Sequence, residues 1–345
     1  MTPLAIGVIG AGMIGKKHIE VILADAGCRL AGIADPAPAA KALAESVGAP
    51  HFPRWETMLD EAELQGVIVA IPNALHVPVS LACLSRRLPV LVEKPVAESL
   101  EAAQRLVTAA ETAEIPILVG HHRRHNPLVR KAREMIQAGA IGRLVTVVAL
   151  ATFLKPDTYF DQSWRREAGG GPVLINLIHD IDFLRFIGGE IASVQAFTSS
   201  AVREFEVEDS AAVAVRFASG ALGTLTITDT ATAPWSWELT AGENPFFPPP
   251  NGENCTLFTG TEGSLTLPRL DHWRYDGARG WTHPLTRRTV EVTRADPYEE
   301  QLRHFCRVID GAETPVVSGA DGLATLKATL AVKEAAATGR PVDLV

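Results

Sequence analysis

The chain has 345 residues, of which 47% are hydrophobic and 21% charged, and a net charge of -8. That length suggests two domains, and the composition is that of a soluble globular protein. The acidic balance gives no reason to expect a nucleic-acid partner, and no apolar run reaches the ~18 residues of a membrane span. The N-terminus runs directly into the first predicted strand, so no signal peptide is expected. Cys28, Cys83, Cys255 and Cys306 are scattered without a C-x-x-C pair. This fits reduced thiols in a cytoplasm rather than a disulfide framework or a zinc site.

Leu4 to Ile9 reads as a buried strand. Gly10, Gly12 and Gly15 follow with G-x-G-x-x-G spacing, and a helix is expected from Met13 to about Ala24. Gly10 permits the turn, Gly12 lets backbone approach a pyrophosphate, and Gly15 lets the helix pack closely on the strand. The diphosphate would face the free N–H groups and positive dipole end of that helix, lined by Met13 and Ile14. A second strand, Arg29 to Ala34, ends in Asp35, placed to accept the adenosine ribose hydroxyls. The competing reading of the same glycines is a tight turn without a ligand.

The alternation continues. A helix from Ala39 to Val47 closes at Gly48, and His51-Phe52 is a short extended piece. Gly66 to Ile71 is a buried strand, Ala74 to Arg87 a helix and Val90 to Val92 a strand. Ser99 to Glu114 is a helix with Ser99 as N-cap, and Ile117 to Val119 is the last strand of the set. This rhythm requires parallel strands with right-handed crossovers, hence a doubly wound α/β sheet. Ligands of such sheets bind beyond the carboxyl ends of the strands. The rule selects Gly10 to Gly15, Asp35, Ile71-Pro72-Asn73, Glu93-Lys94-Pro95 and His121-His122-Arg123.

After about His122 the pattern changes, which divides the chain into a Rossmann domain, 1–122, and an α+β substrate-binding and oligomerisation domain, 123–345. Pro127 to Ala138 is a helix ended by Gly139, and Leu144 to Thr152 a strand. Val173 to Ile187 is a helix. Alternating runs at Ala192 to Ser199, Ser210 to Phe217, Ala221 to Thr228, Ser236 to Thr240, Cys255 to Thr259 and Ser264 to Leu267 read as strands, with Ser219-Gly220 as a hairpin turn. They describe an open, mostly antiparallel sheet with one face free of helices, a natural surface for a homodimer or homotetramer. Asn244 to Gly252 is a proline-rich loop, and two helices, about Pro297 to Asp310 and Ala320 to Ala337, finish the chain.

Three stretches carry chemistry. Lys94, at a strand end in the expected nicotinamide crevice, can hydrogen-bond a substrate hydroxyl or carbonyl; a plain ion pair with a surface carboxylate is the alternative. On the helix after Gly169-Gly170-Gly171-Pro172, a 3.6-residue projection puts Leu174, Leu177, Ile181 and Leu184 on one stripe. Asn176, His179 and Asp182 fall on the other side, where His179 suits proton transfer, against the alternative of a satisfied core histidine. His121-His122-Arg123-Arg124-His125 could suggest a metal or phosphate site. Adjacent residues on an emerging strand point apart, so a basic patch touching substrate or cofactor through His122 and Arg123 is the better reading, with no metal expected. Trp235, Trp237, Glu238 and Asn244 are open between stacking on a sugar ring and core packing.

Together, the glycine fingerprint, Ile71-Pro72-Asn73 with His76, Glu93-Lys94-Pro95, Trp164-Arg165 before the glycine triplet, His179 three residues before Asp182, and Gly260-Thr261-Glu262-Gly263-Ser264-Leu265 resemble the Gfo/Idh/MocA oxidoreductases. The resemblance spans nearly the whole chain. It implies NAD(P)-dependent oxidation or reduction of sugars, polyols such as inositols, or related cyclic alcohols. It also implies that Ile71, Pro72, Asn73, His76, Glu93, Lys94, Trp164 and Arg165 contact the cofactor, and that Lys94 and His179 handle the substrate hydroxyl. The family's acid, four residues before the histidine, is here Ile175; Asn176 can hydrogen-bond in its place but cannot be a carboxylate base. The expected protein is a cytoplasmic NAD-dependent dehydrogenase or reductase, NADP being disfavoured by Asp35. Its rivals are a redox-neutral enzyme that oxidises transiently with bound NAD, and a dinucleotide-sensing regulator.

Overall fold

The structure is a computed structural model describing residues 3–344. It divides into two compact units, Met1–His125 with Pro297–Leu326, and Asn126–Asp296 with Lys327–Val345. The first unit holds six strands: β1 (Leu4–Ile9), β2 (Cys28–Ala34), β3 (His51–Phe52), β4 (Gly66–Val69), β5 (Val90–Val92) and β6 (Ile117–Val119). They lie in the order β3-β2-β1-β4-β5-β6 and every pairing is parallel. The order reverses between β1 and β4, which opens a crevice at the end of β1. β1, β4, β5 and β6 are buried along their whole lengths, because helices cover both faces of a doubly wound sheet.

The helices of this unit are α1 (Met13–Ala24), α2 (Pro38–Val47), α3 (Trp55–Glu61), α4 (His76–Ser85) and α5 (Leu100–Ala113). Gly48 ends α2 in the left-handed region, and Ser99 caps α5 by accepting from the Ala102 N–H at 3.2 Å. The predicted β4 ends two residues early, at Val69, where Ile71 to Asn73 turn away from the sheet. α3 has no counterpart in the sequence reading; two turns of Trp-Glu-Thr-Met-Leu-Asp-Glu give too short a period to recognise.

In the second unit, α6 (Pro127–Gln137), β7 (Leu144–Thr152), α7 (Ile178–Gly188), β8 (Ile191–Ser199), β9 (Ser210–Phe217), β10 (Leu222–Thr228), α8 (Trp237–Thr240), β11 (Thr256–Gly260), β12 (Gly263–Leu267), β13 (Asp271–Arg274) and β14 (Thr286–Thr289) follow in order. The chain ends with α9 (Pro297–Ile309), α10 (Gly319–Thr338) and β15 (Val342–Asp343). The nine-stranded sheet runs β14-β13-β12-β11-β7-β10-β9-β8-β15, antiparallel except for the parallel β7–β10 pair. One face carries Val147, Ala149, Leu225, Ile227, Val213, Val215 and Phe258 into a core closed by residues of α6, α7 and α10. The other carries Val148, Ala212, Ala214, Leu222 and Leu257, and Phe197 is 73% exposed there.

Ser236 to Thr240 is helical, not a strand. The Ser236 hydroxyl caps α8 by accepting from Leu239 N–H at 3.3 Å, and the Thr240 hydroxyl donates back to the Ser236 carbonyl at 2.7 Å. A cap outweighs a five-residue alternation, which is too short to fix a period. The helix predicted from Val173 begins as one wide turn, Val173–Leu177, closed by a bond from Ile178 N–H to the Val173 carbonyl. An extra residue in that turn shifts the projection. Leu177, Ile181 and Leu184 are buried as expected, whereas Leu174 is half-buried; Asp182, at 1% exposure, lies on the second packed face of the helix. The boundary also differs from a simple cut at 122/123: α9 and the start of α10 belong with the first unit.

Candidate active site

The glycine fingerprint is a steric arrangement before it is a binding site. A Cβ on Gly10, whose φ is +97°, would lie 2.2 Å from the Ala70 carbonyl oxygen, and one on Gly15 would lie 2.0 Å from the Gly10 carbonyl oxygen. These two glycines let α1 start against the sheet. Gly12 is different: nothing lies within 4 Å of the Cβ it lacks. Its missing side chain is not needed for packing and leaves open space in front of the first turn of α1. A diphosphate placed there would meet the free N–H groups at the start of α1. Asp35 Oδ2 accepts from Ala11 N–H and Oδ1 from Ala37 N–H, both at 2.8 Å. Each carboxylate oxygen keeps a further lone pair for a ribose hydroxyl.

Glu93 is buried beside Lys94. Nε2 of His18, on α1, donates to Glu93 Oε1 at 2.8 Å, and the Lys94 N–H donates to Oε2 at 3.2 Å. Burial alone would raise the Glu93 pKa, but the His18 hydrogen bond and surrounding positive groups hold it below the ordinary carboxylate value. Glu93 therefore fixes the backbone of Lys94. His76 is likewise inside the protein: its two ring nitrogens lie 2.8 Å from the carbonyls of Ile71 and Pro95. It thus clamps the Ile71-Pro72-Asn73 turn to the Glu93-Lys94-Pro95 turn. Burial holds its pKa below the ordinary imidazole value, so the neutral ring donates to one of the two.

The basic run after β6 is built into the first unit. The His122 ring stacks on Tyr298 at 4.6 Å, and Arg123 is 3% exposed. Arg124 donates to Asp321 and to the Val316 carbonyl, and His125 packs against His304. Among the described residues no group of three or more His, Cys, Asp or Glu could hold a metal ion.

In the second unit the Trp164-Arg165 turn lies on the glycine triplet; a Cβ on Gly170 would be 2.3 Å from the Trp164 carbonyl oxygen. Trp164 is half exposed, and Arg165 stacks 3.9 Å above the Tyr159 ring while donating to the Tyr159 carbonyl. Asn176 and His179 are both half-buried and near each other in sequence on the turn and first residues of α7. Asn176 Oδ1 accepts from Lys155 Nζ at 2.8 Å. Sequence reasoning missed Lys155, although Lys155-Pro156 after β7 repeats the Lys94-Pro95 arrangement after β5. Trp237 is core, at 1% exposure against Phe183, with its indole N–H on Glu243. Asn244 accepts from the Phe246 N–H in a turn.

Residues 4–121 match the model of an oxidoreductase family with an NAD-binding Rossmann fold, and residues 129–266 match the GFO/IDH/MocA C-terminal domain. The chain belongs to the GFO/IDH/MocA oxidoreductases. It is 32% identical to a 1,5-anhydro-D-fructose reductase of Ensifer adhaerens, over 84% of this chain and 82% of that one. It is 29% identical to inositol 2-dehydrogenase 2 of Saccharopolyspora erythraea, over 98% and 95% of the two chains. Among solved structures, the WlbA dehydrogenase of Bordetella pertussis, in complex with NADH and UDP-GlcNAcA, has the same fold. That match has a TM-score of 0.81 and 23% identity, and covers 99% of each chain. The chain is thus an NAD-binding oxidoreductase.

Two expectations follow from this geometry. Gly12→Ala keeps stability within about 0.5 kcal/mol yet weakens NAD binding about tenfold or more, whereas Gly15→Ala costs about 1–3 kcal/mol of stability through overpacking. Chemical denaturation and NAD titration of both variants separate the two roles. Glu93 is the pH-sensitive group. Its folded pKa lies below the ordinary 4.5, so its contribution is present above that value and is lost as pH falls through the depressed one. Glu93→Gln should cost about 1.5–3 kcal/mol at neutral pH. The gap from the wild type should shrink on acidification; a gap that is constant with pH in urea unfolding would contradict the assignment.

Proposed function

We propose that this enzyme transfers hydride between NAD and a hydroxyl or keto carbon of a sugar, an inositol-like polyol or a related cyclic alcohol. The observation that carries the reading is the steric opening at Gly12, with Asp35 bonded to the neighbouring Ala11 N–H, in a chain that also keeps Lys94 and His179. The names of its relatives, a reductase of an anhydro-sugar and an inositol dehydrogenase, support the substrate class. NAD, when bound, supplies or accepts the hydride. A carbinol loses hydride only as its hydroxyl loses a proton, so a base must reach that oxygen. In this reading His179 takes the proton, Lys94 polarises the oxygen, and Asn176 orients the substrate. Ile175 leaves no carboxylate at the family's acid position. Gly10, Gly12, Met13, Ile14, Gly15 and Asp35 hold the dinucleotide, Ile71, Pro72, Asn73, Trp164 and Arg165 line it, and His122 and Arg123 border the substrate. His76 and Glu93 serve through the backbone they fix.

His179→Ala should lower kcat by about 10²–10⁴-fold, the usual worth of general-base assistance, while NAD affinity stays near that of the wild type. Lys94→Ala should cost at least as much. A His179→Ala enzyme with full kcat across pH would remove the histidine from the reaction. A screen of polyols, inositols, aldoses and cyclic diols, followed by nicotinamide absorbance, identifies the substrate.

Asp35 repels a 2′-phosphate, and the next cation in the sequence is Lys41. The kcat/KM with NAD is therefore expected to exceed that with NADP; equal values would overturn this role of Asp35.

The helix-free face of the nine-stranded sheet, with Val148, Phe197, Leu222 and Leu257 exposed, supports a two-fold homodimer or a homotetramer. Light scattering is expected to report at least a dimer, and Phe197→Asp to weaken it; a monomeric wild type at micromolar concentration would refute the interface. Among the described residues no helix is long and apolar enough to cross a membrane, and the free thiols favour the cytoplasm.

A further inference from the structure

Lys155 is 8% exposed in the second unit, and nothing in the reaction described above uses it. Its backbone is fixed at both ends: its N–H donates to the Asp229 carbonyl at 2.9 Å, and its carbonyl accepts from Arg203 at 2.9 Å. Its stem runs beside aromatic rings, with Nζ 4.6 Å from the centre of Tyr159. Nζ lies 3.3 Å from Asp229 Oδ2 and 2.8 Å from Asn176 Oδ1. Asp229, 1% exposed, is shared with Arg203, whose Nε donates to Oδ1 at 3.0 Å. A buried lysine held this firmly is a fixed donor, not a mobile surface charge.

The consequence falls on Asn176. A carboxamide has an acceptor end and a donor end that can exchange by a half-turn. An ammonium has donors only, so the atom 2.8 Å from Lys155 must be the oxygen. The Nδ2 end is thereby turned away from Lys155, and among the described residues it donates to none. We propose that Lys155 is a positioning residue that locks the Asn176 amide with its N–H donors presented outward, so that position 176 hydrogen-bonds an acceptor oxygen of the substrate. A carboxylate at this place would accept from a substrate hydroxyl; the locked amide instead donates to a carbonyl or ether oxygen, or to a hydroxyl lone pair. This rests on the hydride-transfer reading for the identity of the ligand, but the locking does not.

Two measurements test it. The chain holds six asparagines, so selective ¹⁵N-asparagine labelling gives a sparse amide spectrum in which Asn176→Leu identifies the Asn176 pair. Lys155→Met, which keeps the stem and removes the charge, should shift that pair and speed its exchange with water. An unchanged Asn176 pair overturns the lock. The second is a double-mutant cycle on KM, with NAD saturating. Asn176→Leu and Lys155→Met should each raise KM for the hydroxyl substrate about five- to tenfold, the range of a lost hydrogen bond. In the Asn176→Leu background, Lys155→Met should add less than about twofold, since it acts through the amide. Full additivity would make Lys155 a packing residue and overturn the proposal, as would a large kcat loss at unchanged KM. Lys155→Arg, which retains donors, should recover part of the KM. If wild-type enzyme turns over no hydroxyl compound, the hydride-transfer reading fails and the substrate half of this one with it, while the amide spectrum still decides the lock.

Discussion

A carboxylate taken out of water must find hydrogen bonds or give up its charge, and Glu93 finds them on two elements at once. One oxygen is held by His18, on the same helix whose first turn faces the open space at Gly12. The other is held by the backbone N–H of Lys94. A single buried group therefore couples the position of α1 to the position of the lysine at the end of β5. His76 adds a second tie, from the Ile71 turn to Pro95. The carboxyl ends of β4 and β5 are fixed by side chains that need touch no ligand themselves. Rigid placement of this kind limits the reorganisation left for the moment of reaction.

The second unit uses the same physics with other residues. Asp229 lies between Lys155 and Arg203, and the Arg203 guanidinium also donates to the Lys155 carbonyl. The wide turn before α7 carries Asn176, and the glycine triplet ahead of it admits the Trp164 turn at backbone distance. Both units thus place a lysine followed by a proline just beyond a strand, and both anchor it by burying an acid nearby.

What could be read from the amino-acid pattern was whatever repeats locally. The strand–glycine–helix order of residues 4–24, the apolar β4 and β5, and the strict alternation of β9 and β10 are legible in this way, and each forms as the expected element, β4 shortened by two residues at its end. Features settled by one or two individual contacts are hidden. Ser236 to Thr240 alternates like a strand, and the cap that makes it helical is visible only as a single serine. The wide turn at Val173–Leu177 cannot be seen in a projection that assumes 3.6 residues per turn, so that projection puts Leu174 on the core stripe, where it is only half-buried. His76 is singled out by the resemblance and Glu93 by its place after β5, but neither signal shows the backbone carbonyls and the His18 ring that engage their polar atoms. Lys155 was unremarkable without Asn176 and Asp229, which lie 21 and 74 residues further along.

The return of residues 297–326 to the first unit has a consequence for how the protein is made. β6 takes a backbone bond from Val119 N–H to the Val317 carbonyl, and Phe305 and Ile309 cover Gly66 of β4. The N-terminal residues leave the ribosome first, yet the side of their sheet that these residues cover stays open until nearly the whole chain has been synthesised. Domain-by-domain folding during translation, the usual order for two-unit proteins, is therefore unavailable in its simple form. The nascent α/β sheet must wait, with apolar surface uncovered, for a segment separated from it by the entire antiparallel sheet.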